Sequence, residues 1–107
     1  GQSMAMELIL TGDTIDAARA AELGLINKAV ADDELMNEAR ALAARIAANA
    51  PLAVQASRRV AIRAQDDDDD ALWSQSANEL RKIMQTEDFK EGPRAFVEKR
   101  APVWKAR

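Results

Sequence analysis

EDFKEGPRAFVEKRAPVWKAR, residues 87–107, gathers in one place what the rest of the chain keeps apart: aromatic rings, a Gly-Pro break and net positive charge. It holds Phe89, Phe96 and Trp104, three of the four aromatic residues of the chain. Six cations against four carboxylates leave +2 here, on a chain whose total is −3. Thr86 is placed to cap a helical turn over 87–91. Gly92-Pro93 is expected to interrupt it, because proline lacks the N–H that a helix interior needs. A short helix over 94–100 should follow, stopped by Pro102. On such a helix Phe96 and Lys99 are three apart and project the same way. A flat ring beside an ammonium suits a nucleotide or a phosphorylated ligand. It equally suits a docking helix that buries its aromatic and leaves a lysine in water. The residues of this stretch leave both readings open.

Outward from it, the chain reads as mainly α, with at most one short strand. Helix is expected over 3–10, ended by Thr11-Gly12-Asp13, since glycine accepts the left-handed position after a helix. Asp16 can cap a short helix over 17–23, which Gly24 stops in the same way. LINKAV, residues 25–30, is the one stretch with strand character, and the chain offers it no partner. Asp32 or Asp33 is expected to cap a long helix ending near Asn49, with Leu35, Ala39, Leu42 and Ile46 along one face. Pro51 suits the first turn of the next helix, running to about Ala64. After the aspartate run at 66–70, a helix over 71–85 carries Leu72, Trp73, Ala77, Leu80, Ile83 and Met84. There is no internal repeat and no linker composition, so residues 1–107 read as a single region.

Composition narrows the function classes. With 107 residues the chain is one domain at most. Its hydrophobic fraction of 48% includes 23 alanines, which leaves 28 large apolar side chains. So thin a supply places a small domain near the stability margin and suggests that apolar surface is meant for a partner chain or for a missing part of the same chain. There is no cysteine, hence no disulfide and no thiolate, and no histidine, the commonest general base and metal ligand. No apolar run approaches the roughly 18 residues of a membrane span, and no leader is visible. The expectation is a soluble cytoplasmic protein. Its acidic total argues against nucleic acid as a partner.

No constellation in the chain makes a self-contained active site. Five adjacent aspartates at 66–70 diverge and repel, where a metal needs oxygens converging from alternate positions. Their last members favour the positive N-terminus of the helix that follows, so no metal site is expected. Glu34 and Glu38, and Glu87 and Glu91, share helix faces but read as solvated carboxylates. Ser57, Ser74 and Ser76 have no histidine partner. Arg58, Arg59 and Arg63 read as a solvated cationic face.

Taken together, AMELILTGDTIDAARAAELGLINKAV, DELMNEARALAARIAANAPLAV and TEDFKEGPRAFVEKRAPVWK resemble the C-terminal third of the enoyl-CoA hydratase/isomerase (crotonase) family, in family order. The most specific pieces are Leu10-Thr11-Gly12, then Ala17, Ala21 and Gly24-Leu25, and the closing Glu91-Gly92, Ala95-Phe96 and Glu98-Lys99-Arg100. Closing residues of this form look most like the hydratase branch. Ala31, where a proline is common, and the aspartate run depart from the family pattern.

The resemblance implies the helical trimerisation region of a crotonase-like α/β fold. It implies a homotrimer or a hexamer of stacked trimers, and acyl-CoA thioesters as substrates. Coenzyme A would enter as part of the substrate, with no tightly bound cofactor. The family polarises the thioester through two backbone N–H groups and manages water addition with two glutamates. Both belong to the region before Gly1, and Glu7 lies just past where the last such glutamate sits. Catalytic residues are therefore expected to be absent, and the 107-residue chain to be inactive as a hydratase. What carries over is Phe96 and Lys99, whose family counterparts contribute to the CoA site, commonly at the nucleotide end of a neighbouring subunit's ligand. The rival expectation is a non-catalytic helical self-association module derived from that family.

Overall fold

In the computed structural model, which describes all 107 residues, α1 (Gln2–Thr11) ends on Gly12. The left-handed φ of 73° there lets the Gly12 N–H reach back to the Leu8 carbonyl at 3.0 Å. Asp16 then caps α2 (Ala17–Glu22), its carboxylate accepting from the Arg19 N–H at 2.7 Å. Gly24, also at φ 73°, closes α2 with a Schellman turn. The Gly24 N–H bonds to the Ala21 carbonyl and the Leu25 N–H to that of Ala20.

That turn corrects one expectation. The 25–30 segment is not a strand, and the chain contains none. The Leu25 and Ile26 amides are spent on the Ala20 carbonyl, at 2.9 and 3.4 Å, and no neighbouring edge pairs with the rest. A second correction lies at 32–34. Asp32 and Asp33 do not cap with their side chains; they sit within a 3₁₀ turn (Asp32–Glu34) that leads into α3 (Leu35–Ala47). Ala31 holds the cap position, and its carbonyl accepts from the Glu34 N–H at 3.0 Å. The aspartates still meet the positive end of the helix, as first-turn residues.

The chain forms two compact units, Gly1–Arg40 and Ala41–Arg107. Their boundary falls inside α3, which is why no linker composition marks it. In the second unit, α4 (Pro51–Arg63) opens with Pro51 in its first turn and packs against α5 (Asp69–Ile83). Ala56 is buried at this junction. An apolar groove of about 430 Å³ runs beside it, lined by Ala53, Val60, Leu80 and Ile83. Asp68, within the aspartate run, caps α5 by accepting from the Ala71 N–H at 2.8 Å.

The last helix, α6 (Glu87–Glu98), is continuous through Gly92-Pro93, where a break was expected. Pro93 forfeits one hydrogen bond, the one its N–H would make to the Phe89 carbonyl. Both ends of α6 are closed well enough to absorb that loss. Thr86 caps the start by accepting from the Phe89 N–H, and Glu87 and Asp88 lie in the first turn. The far end turns at Lys99, one residue past Glu98, rather than at Pro102. Residues 101–107 then run back along α6 without regular structure.

Candidate functional site

Phe96 is the most distal aromatic of α6, and three-quarters of it (74%) faces solvent, as does Val97 (77%). Lys99 follows the last helical residue, and its backbone (φ 55°, ψ 36°) is left-handed. The hydrogen bonds around it are those of a Schellman turn, from the Lys99 N–H to the Phe96 carbonyl and from the Arg100 N–H to the Ala95 carbonyl. The turn is the one that closes α2, with lysine in the place of Gly24. A residue with a Cβ pays about 1–2 kcal/mol for that backbone conformation. The geometry brings the two predicted side chains together: the Lys99 ammonium stands 4.3 Å from the centre of the Phe96 ring.

The cation is uncommitted while its neighbours are paired. Arg94 and Arg100 both engage Glu98, Arg100 also grips Glu91, and Lys105 and Arg107 engage Glu87. Lys99 takes part in none of these pairs. An exposed ring with an unclaimed ammonium above it can stack on a heteroaromatic base and meet a phosphate as a point charge.

Behind this pair lies a set of contacts that residue types did not reveal. Glu91 accepts from Arg100 Nη2 at 3.0 Å and from the Val103 N–H at 2.8 Å. The Arg100 guanidinium and then the Val103 N–H hold its carboxyl down to about 2. Asp88, almost wholly buried, accepts from the N–H groups of Lys105 and Ala106 at 2.7 and 3.0 Å. The Trp104 indole N–H donates to the Ala48 carbonyl at 2.8 Å. Its ring comes within 3.6 Å of where a side chain at Gly92 would begin. Glu91, read as solvated, thus anchors residues 100–103, and Asp88 anchors 105–106, while Glu87 stays half exposed beside Lys105 and Arg107. No spacing rule marks Glu91, because its partners are a backbone amide and an arginine nine residues on.

The other candidates resolve into local structure. Arg59 pairs with the buried Glu79, which Lys82 also meets, and Arg59 above all lowers the Glu79 carboxyl. Arg63 pairs with Asp67, Glu38 with Lys28, and Glu34 accepts from Asn37. Ser57 and Ser76 line the groove between α4 and α5. No three carboxylates converge on a common point, and no helix is long and apolar enough to cross a membrane.

The family model described as enoyl-CoA hydratase/isomerase matches residues 1–107, the whole chain. The chain belongs to the enoyl-CoA hydratase/isomerase family. An enoyl-CoA hydratase of Mycobacterium tuberculosis is 42% identical over 100 residues. A short-chain-enoyl-CoA hydratase of Clostridium acetobutylicum is 39% identical over the same length. In each case 94% of this chain aligns with 38% of the relative, so the chain spans about two fifths of the length of the relatives it matches. The crystal structure of an enoyl-CoA hydratase from Mycobacterium tuberculosis H37Rv superposes with a TM-score of 0.92 at 39% identity, covering 98% of this chain and 42% of that one. The helices described above are therefore a helical portion of the crotonase fold.

Proposed function

We propose that this chain serves an enoyl-CoA hydratase as its helical portion, supplying part of the CoA site and contacts between subunits. The parent activity is addition of water across the α,β double bond of a trans-2-enoyl-CoA. The observation that carries the CoA role is the Phe96–Lys99 pair, an exposed ring under an ammonium that no carboxylate in its neighbourhood claims. The ring packs on adenine and the ammonium meets a phosphate of the nucleotide. The substrate is then held at its distal end, far from the reacting double bond. The amides that polarise the thioester and the glutamates that manage water come from polypeptide outside these 107 residues. Coenzyme A is part of the substrate, and no separate cofactor is required.

A contact made equally in the ground state and the transition state lowers KM without entering the rate of the chemical step. In an enoyl-CoA hydratase carrying this segment, Phe96→Ala and Lys99→Ala should each raise KM for crotonyl-CoA on the order of tenfold, the scale of one lost stacking contact. The kcat should stay nearly unchanged. A KM that moves in neither variant would return residues 94–100 to a docking role alone.

A further inference from the structure

We propose that Glu91 is a positioning residue for the Lys99–Phe96 pair: its grip on Arg100 and the Val103 N–H holds the chain in the left-handed turn that sets the Lys99 ammonium over the ring. The importance of that pair rests on the CoA reading above; the positioning itself does not.

The argument begins with the turn. Gly24 closes α2 with the same hydrogen bonds at no steric cost, whereas Lys99 closes α6 against its own preference. A strained backbone persists only where its surroundings over-determine it. The surroundings here are on the C-terminal side. Arg100 lays its guanidinium across both Glu91 oxygens and sends its Nε to Glu98. The Val103 N–H adds a third point of attachment to Glu91. Glu91 lies two turns back along α6, so residues 100–103 reach it only if the chain reverses direction at position 99. A right-handed or extended Lys99 would carry Arg100 away from it.

The same contacts act on Lys99 a second time, through charge. Glu91 and Glu98 are the carboxylates of the last two turns of α6 and the obvious partners for a lysine at its end. Arg100 occupies both, and Arg94 takes the remaining Glu98 oxygen. Lys99 is left with the π face of Phe96. Freed of Arg100, either carboxylate would draw the ammonium off the ring.

The test is NMR on an enoyl-CoA hydratase carrying this segment, with lysine and tryptophan labelled, read at the side-chain methylene protons of Lys99. Protons held over an aromatic face are shifted upfield, and Phe96→Leu defines their position without the ring. Glu91→Ala and Arg100→Gln should each bring the Lys99 resonances to the Phe96→Leu position. The Trp104 indole N–H, bonded to the Ala48 carbonyl, should keep its own shift in both variants. An upfield shift that survives either substitution overturns the proposal. So does a loss that comes only with release of the Trp104 indole, because Glu91 would then be holding the fold and not the pair. No CoA is present in this measurement. Failure of the CoA reading would instead leave the Glu91 effect intact while Phe96→Ala left KM unmoved.

Discussion

Glu91 carries one charge and three hydrogen bonds at the edge of solvent, with 16% of its side chain exposed. The Arg100 guanidinium is the largest influence on its carboxyl and the Val103 N–H the next; the Arg94 charge adds to both, and partial desolvation opposes them. The result is a fall from the ordinary 4.5 to about 2. The sign of the consequence follows from linkage. Above 4.5 the carboxylate is ionised in folded and unfolded chains alike, and its contribution to stability is complete. As pH falls from 4.5 toward 2 the unfolded chain takes up the proton first, and the contribution is progressively lost. Glu98, lowered chiefly by Arg94, and Glu87, lowered chiefly by Lys105, titrate in the same direction and deepen the loss. Residues 100–103 should therefore detach from Glu91 between pH 4.5 and about 2, seen at the Val103 amide resonance. Arg100→Gln should shift the onset of release to higher pH. A tail equally held at pH 5 and at about 2 would show that these carboxylates do not anchor it.

Helix ends were the most legible elements, because each cap is a local bargain between one side chain and one orphan N–H or carbonyl. Asp16, Gly12, Gly24 and Pro51 stand where their residue types place them. The aspartate run does too: Asp68 caps α5, and Asp69 and Asp70 lie in its first turn. What failed locally failed for tertiary reasons. Gly92-Pro93 reads as a stop, yet α6 continues, because Thr86 and the Lys99 turn close its ends and Trp104 packs on it from outside. Residues 25–30 were the one stretch with strand character, yet they form none, because the Leu25 and Ile26 amides are committed to the Ala20 carbonyl. Within the site, the F-x-x-K spacing was readable, but the left-handed lysine and the Glu91 anchor were not. Both depend on a chain reversal that no residue type announces. The cap at α5 gives a prediction of its own scale. Asp68→Ala should cost about 1 kcal/mol, the usual value of an N-cap side chain. Helical circular dichroism should show the lower melting temperature. Asp66→Ala, two residues outside the helix, should leave the melt where it was; equal losses in both would make the run a matter of bulk charge.

The whole chain buries very little apolar matter. Ala56 and Ala95 are its only buried hydrophobic side chains, and no large side chain is fully enclosed. In the first unit Ile9 and Leu10 stand 74% and 75% exposed; in the second, Trp73, Phe96 and Val97 are open to a similar degree. A chain of 107 residues cannot offset its conformational entropy with two alanines. The side chains that would do so face outward and need a second surface. That surface is the rest of the parent polypeptide or copies of the same chain, and copies are the occupant that the proposed subunit-contact role calls for. Association of this kind is linked to folding, so the melting temperature should rise with protein concentration. Sedimentation equilibrium should give a trimer or a multiple of it. A sharply melting monomer of full helicity, indifferent to concentration, would sink the subunit-contact role and the self-association alternative together. Trimers formed by a chain whose Phe96→Ala variant keeps its parent's KM would leave a self-association module, with the ring serving as packing surface.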